Sequence, residues 1–158
     1  VFVSGPSPGN VQGKILQVVR ASTGTTTSTT STVMVDVTSM SVTITPTSAT
    51  STILIIGTTN FFNVAQSGTP QYGGLQLTDS SNTALSGAKD MFIGLYNITR
   101  TGAGSTVYDP VTLIGYAAPA TTSAVTYKMR IKSAVATNTA KAENSVTDGQ
   151  MYAIEVAA

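Results

Sequence analysis

The sequence predicts an all-β domain, a jelly-roll-like antiparallel β-sandwich of roughly eight to ten strands. Of the 158 residues, 28 are Thr and 17 are Ser, while the helix formers Lys, Glu, Arg, Gln and Leu are sparse. The clearest segment, residues 125–131, alternates apolar odd positions with polar even positions, which is the period of a half-buried strand. The length predicts one domain with a sizeable core.

Residues 1–12 predict an extended arm that precedes a β-sandwich domain of residues 13–158. Pro6 and Pro8 fix extended backbone, and the Ser and Gly residues around them favour irregular structure. Such a segment is either a disordered tail or an arm that docks on a neighbouring subunit or another protein. We expect docking, with Pro6 and Pro8 as partner-binding residues.

Two segments of different character follow the arm. Residues 13–19 predict a first strand whose adjacent apolar side chains are covered on both faces. Residues 22–32 consist of Ser and Thr apart from one Gly, and they predict a long exposed loop or an edge strand.

The next strands are marked by apolar patterns. Apolar residues alternate at odd positions in residues 33–37 and at even positions in residues 40–44. Because this phase change moves side chains to the other face, it predicts a bulge or turn at residues 38 and 39. The run ILII at residues 53–56 predicts a central strand that is buried on both faces.

The middle of the chain has the weakest pattern. Residues 57–74 predict a long loop with short extended pieces, and the polar residues that follow Leu77 predict a hairpin turn. The remaining predicted elements are strands at residues 91–98, 111–116, 125–133 and 151–156, with a turn at residues 102–104.

The residue types exclude several catalytic classes. The chain has no Cys and no His, so thiolate nucleophiles, Ser/His/Asp triads and the sulfur and imidazole ligands of metals are impossible. The seven carboxylates are scattered singly, which is typical of turn and surface residues rather than a catalytic pair. We therefore expect no catalytic residues, metal or cofactor, and a glycan depolymerase is the least favoured function.

The charge balance limits the partners. A net charge of +1 gives no field to hold nucleic acid, and no apolar run approaches the roughly 20 residues of a membrane span. Charged residues make up 9% of the chain, and weak self-repulsion favours close association with copies of the same chain.

The basic stripe, which consists of Lys128, Arg130 and Lys132, is the one charged constellation in the sequence. As a functional site it would bind an acidic surface on a partner protein or a negatively charged glycan. The alternative is a solvated strand face whose edge lysines discourage aggregation.

Four motifs occur in a fixed order: GKILQVVRAS at residues 13–22, VTITPTSATSTILI at 42–55, PATTSAVTYKMRIKS at 119–133 and IEVAA at 154–158. This order resembles a family of structural proteins of tailed bacteriophages, many from marine hosts, where it recurs in tail-fibre, head-fibre and other virion proteins. The resemblance covers most of the chain outside residues 4–9 and 57–74. It implies a β-sandwich that assembles into homotrimers and has no catalytic residues.

The resemblance implies a virion structural protein on the particle surface. Because only a short arm precedes the domain, where fibre proteins usually have a long shaft, we expect a homotrimeric capsid decoration or head-fibre protein. Its arm would anchor it to the major capsid protein or another virion protein.

The alternative is a receptor-binding module at the tip of a tail fibre, which recognises a host surface glycan through residues 22–32 and 57–74. Phe61, Phe62 and Tyr72 would then stack on sugar rings, as aromatic side chains readily do. The same three residues are also candidates for core or trimer contacts.

Overall fold

The computed structural model describes residues 13–65, 70–95 and 105–158 of the chain, and in these ranges no residue is helical. The described residues form ten strands in two antiparallel sheets. The predicted all-β sandwich is confirmed, with a strand number at the upper end of the expected range. The predicted arm, residues 1–12, and the predicted turn at residues 102–104 lie outside the described residues.

The chain crosses several times between the two sheets. In chain order they are β1 (Ile15–Thr23), β2 (Thr27–Thr29), β3 (Val35–Ile44), β4 (Thr52–Ala65), β5 (Gln71–Asp79), β6 (Met91–Leu95), β7 (Ser105–Ala117), β8 (Val125–Ser133), β9 (Thr139–Ala142) and β10 (Gly149–Val156).

Strand pairing follows a nested order. β1 pairs with β10, β2 with β9, β3 with β8, β4 with β7, and β5 with β6. This is the order of one long antiparallel hairpin that is rolled up into two sheets, which defines a jelly roll. The six-stranded sheet contains β1, β10, β4, β9, β2 and β7, and the four-stranded sheet has the order β3, β8, β5, β6.

The core lies between the two sheets. It is built from inward-facing aliphatic and aromatic side chains that are almost fully inaccessible, among them Ile53, Ile55, Phe61, Leu75, Leu77, Met129, Ile131 and Met151. Gly73 allows a close approach between the sheets, because a Cβ there would lie 2.6 Å from Cζ of Phe61. The odd positions of β8 face this core, as their alternation predicts.

The predicted change of phase in β3 is confirmed. The pairing register of β3 with β8 shifts between Asp36 and Ser41, and Ser39 adopts a left-handed conformation with φ of 58°. This bulge lets Val37 and Met40, which are three positions apart, both face the core.

The long loop predicted for residues 57–74 is wrong over most of its length. Residues 57–65 continue β4, and β5 begins at Gln71. The sequence pattern did not predict these strands because several of their inward-facing positions are polar. Asn63 and Gln71 are both buried, and Nε2 of Gln71 donates a 2.8 Å hydrogen bond to the backbone oxygen of Asn63.

The prediction that the first strand and residues 53–56 are buried on both faces is also wrong for the single chain. Ile53 and Ile55 are fully buried, but their neighbours Leu54 and Ile56 are only partly buried. In β1, Val18 is 55% exposed. Both strands belong to the six-stranded sheet, and in the part of the chain that the structure describes no second layer covers its outer face.

The Ser/Thr-rich segment resolves into parts of two strands. β1 extends to Thr23, and β2 forms a three-residue strand at the margin of the six-stranded sheet, paired with β9. The edge-strand alternative is therefore confirmed for residues 27–29. Within residues 13–65, 70–95 and 105–158, no helix meets the length and apolarity that a membrane crossing requires.

Candidate functional site

The basic stripe lies on the outer face of the four-stranded sheet. Its three residues occupy alternate positions on β8, opposite the side chains that enter the core. Because β8 lies between β3 and β5, the interpretation of these residues as edge lysines is wrong. They stand on an internal strand with acidic residues beside them.

Asp36 holds two of the three cations. Its Oδ2 accepts a 2.8 Å hydrogen bond from Nζ of Lys128, and its Oδ1 accepts one of 2.8 Å from Nε of Arg130. Nη2 of Arg130 also donates to the backbone oxygen of Met34 at 2.7 Å. Nζ of Lys132 forms the third ion pair, with Oδ2 of Asp90 at 2.7 Å.

These pairs place two carboxylates against the three cations and so reduce the charge of the stripe from +3 to +1. The hydrogen bond from Lys128 holds the pKa of Asp36 below its ordinary value; burial opposes this effect and Arg130 adds to it. The basic side chains are only 15 to 19% exposed. An acidic partner would therefore have to displace Asp36 and Asp90, which weakens the stripe as a docking site for anions.

The three candidate glycan-binding aromatics do not form one site. Phe61 is fully buried in the core, so its ring is not exposed to a sugar. Phe62, its neighbour on β4, points to the outer face of the six-stranded sheet, while Tyr72 is half-buried on β5 of the other sheet. Phe61 and Phe62 are adjacent in the sequence, but adjacent side chains of a strand point to opposite faces of the sheet.

Phe62 instead forms a small cluster that the sequence did not reveal. Its ring meets Tyr108 of β7 edge to face, with ring centroids 5.9 Å apart. Nζ of Lys141 on β9 lies 5.2 Å from the centroid of the Phe62 ring, a cation–π distance. Phe62 is the pairing partner of Tyr108 on one neighbouring strand and of Lys141 on the other, which brings the three side chains together.

The outer surface of β1, β10, β4 and β7, here called the apolar face, differs in character from the outer surface that carries the basic stripe. One row across the strands consists of Val18, Ile154, Leu54 and Tyr116, and the next consists of Arg20 at its β1 end followed by Tyr152, Ile56 and Ile114. Ile15 and Val156, which also pair, extend the apolar face at one end. Val18, Ile114 and Tyr116 are each more than half exposed.

A buried carboxylate fixes the strand beside this face. Oε2 of Glu155 accepts from Nε2 of Gln17 at 2.6 Å, and Oε1 accepts from the amide and the hydroxyl of Thr47 at 2.8 and 2.9 Å. Burial of Glu155 favours its neutral form, but hydrogen bonds from Gln17, Ser51 and Thr47 outweigh that effect and lower its pKa to about 2. Glu155 thus ties the connection after β3 to β1 and β10, which is a structural role.

Among the residues that the structure describes, no three acidic side chains lie close enough together to hold a metal ion. No family model matches this sequence, and no curated protein matches it significantly. The resemblance to virion proteins of tailed bacteriophages therefore stays a prediction from the sequence motifs.

Proposed function

We propose that this chain is a non-enzymatic structural protein of a bacteriophage particle, a homotrimeric capsid decoration or head-fibre protein. In this proposal, residues 1–12 anchor the subunit to the major capsid protein or another virion protein, and the jelly roll stands on the particle surface. The observation that carries the proposal is the apolar face. A contiguous exposed apolar patch marks an interaction surface in a folded protein.

The contrast between the two outer faces supports the same function. The four-stranded sheet presents ion pairs that suit contact with water, while the six-stranded sheet presents aliphatic and aromatic side chains. A subunit with one wet face and one apolar face is suited to a fixed place in an assembly. The sequence motifs shared with virion proteins supply the second support.

The experiment is immunogold electron microscopy of phage particles that carry the chain. We expect many copies on the head, and loss of labelling when residues 1–10 are deleted from a protein that still folds by circular dichroism. A Pro6→Ala, Pro8→Ala double variant keeps the length of the arm, and its labelling shows whether attachment depends on the two prolines or only on the presence of the arm. Particles without any label would contradict the proposal.

A receptor-binding tip module of a tail fibre is the second candidate, and the cluster of Phe62, Tyr108 and Lys141 favours it. An exposed aromatic ring beside a cation can stack on a sugar and contact an acidic substituent. This function predicts that the purified protein binds host cells and blocks infection, and that Phe62→Ala removes both effects. Immunogold label confined to tail tips would favour this candidate over the first.

A further inference from the structure

We infer that the apolar face is the surface through which copies of this chain contact one another, an assignment that rests on the proposed assembly function. The occupant is a second copy of the chain. The apolar faces of three copies would meet around a threefold axis, so that each copy contacts the other two, with Val18, Ile114 and Tyr116 near the axis.

The first step concerns the composition of β4. Strands that face water on one side alternate apolar and polar residues, whereas strands covered on both sides are continuously apolar. Residues 53–56 read ILII, yet the structure covers only Ile53 and Ile55. Leu54 and Ile56 have the composition of buried positions without a layer above them among the described residues. A second protein layer would complete the burial that this composition indicates.

The second step concerns charge. The two apolar rows contain one charged side chain, Arg20 at the β1 end of the second row, and its guanidinium carbon lies 6.0 Å from the centroid of the Tyr152 ring. A partner recognised by charge complementarity would find a single charge to pair with in these rows. Copies of this chain meet little repulsion there, because the chain has 8 basic and 7 acidic residues in all.

The third step concerns area. Nine apolar positions, spaced about 4.8 Å between strands and about 7 Å between rows, give an apolar area on the order of 300 Å². A polar row of Ser22, Gln150, Thr58 and Thr112 continues the face, followed by the aromatic cluster. Together they give on the order of 500 Å², near the roughly 600 Å² per partner at the lower end of stable interfaces. An apolar centre with a polar rim is the usual anatomy of such contacts.

The test is sedimentation velocity of the full chain and its variants over a range of concentrations. We expect the wild-type chain to associate and Ile114→Lys to weaken association by about a hundredfold or more, because a buried lysine would have no partner. Val33→Lys is the matched control, since Val33 is 72% exposed and lies two positions before β3 of the four-stranded sheet. A monomeric wild-type chain, or unchanged association of Ile114→Lys, would overturn the inference.

A second measurement covers the case in which Ile114→Lys does not fold. The chain has no Cys, so Val18→Cys and Val33→Cys each carry a single thiol. We expect maleimide to label Val18→Cys at least about tenfold more slowly at concentrations that favour association, with protection lost on dilution. Equal labelling of the two variants at all concentrations would overturn the inference. Attachment to particles through residues 1–12 is measured separately, by immunogold labelling. A negative result for the apolar face would therefore leave the proposed place on the particle to its own test.

Discussion

Ile56 on β4 and Ile114 on β7 lie directly opposite each other, and both side chains point away from the core. Ile114 is 54% exposed, while the adjacent Leu113 on the same strand is 1% exposed. Two isoleucines paired on an outer face gain little from this position in an isolated subunit. Their burial would stabilise the protein much more if another protein layer covered them. The two side chains are therefore expected to stabilise the assembly rather than the fold of one subunit.

The two neighbours on β7 should therefore respond differently to truncation. We expect Leu113→Ala to lower the free energy of unfolding by about 2 to 5 kcal/mol, because it leaves a cavity in the core. Ile114→Ala should change it by about 0.5 kcal/mol or less under dilute conditions. Urea denaturation at low protein concentration measures both values, and equal losses would show that Ile114 packs in the subunit core.

The ion pairs of Asp36 should contribute modestly to stability. We expect Asp36→Asn to lower the free energy of unfolding by about 1 kcal/mol, since it leaves Lys128 and Arg130 without their carboxylate at a half-exposed site. The loss should shrink at high salt, because ions screen such pairs. Asp148→Asn, at an exposed position, is the control. A loss that does not change with salt would argue against an electrostatic origin.

Glu155 should make the fold sensitive to acid. Its pKa in the folded protein is about 2, below the ordinary value of 4.5, so its ionised form stabilises the fold above pH 4.5. That contribution is lost as the pH falls from 4.5 toward 2. We expect Glu155→Gln to be less stable than wild type at pH 7 and to lose less stability over this acid range.

Thermal unfolding followed by circular dichroism across this pH range measures the effect of Glu155. Asp148→Asn is the comparison, because it removes an exposed carboxylate without touching the hydrogen bonds to Gln17 and Thr47. If Glu155→Gln and wild type lose stability in parallel between pH 4.5 and 2, then Glu155 is not the group responsible.

Gly73 should not tolerate a side chain. A Cβ at this position would lie 2.6 Å from Cζ of Phe61 and 2.7 Å from the backbone oxygen of Lys132. We expect Gly73→Ala to lower the free energy of unfolding by about 1 to 3 kcal/mol through overpacking. At Gly24 the nearest atom to a Cβ would be 3.4 Å away, so Gly24→Ala should have little effect. Equal stabilities of the two variants would contradict the close packing of Phe61 on Gly73.

Local patterns in the sequence predicted much of the fold. The alternation in β8 identified its buried face, and the change of phase in β3 located the bulge at Ser39. These predictions succeed because a strand places side chains with a period of two, so local sequence reports which face is buried. β4 and β5 were missed where the buried side chain of Gln71 donates its hydrogen bond to the backbone oxygen of Asn63 instead of to water.

The candidate surfaces were less predictable, because they depend on pairing between distant segments. Asp36 and Lys128 are 92 positions apart, and only the pairing of β3 with β8 brings them together. Similarly, the apolar rows combine residues from four strands that are far apart in the chain. The sequence did indicate that residues 53–56 have two apolar faces, but not that the second face lies on the outside.

The mass of the purified full chain in solution, measured by light scattering after size-exclusion chromatography, tests the central claim most directly. We predict a species of three times the 16.2 kDa mass of one chain, which persists at micromolar concentration and is lost in Ile114→Lys but not in Val33→Lys. A single species of 16.2 kDa at every concentration would contradict the claim that this jelly roll assembles through its apolar face.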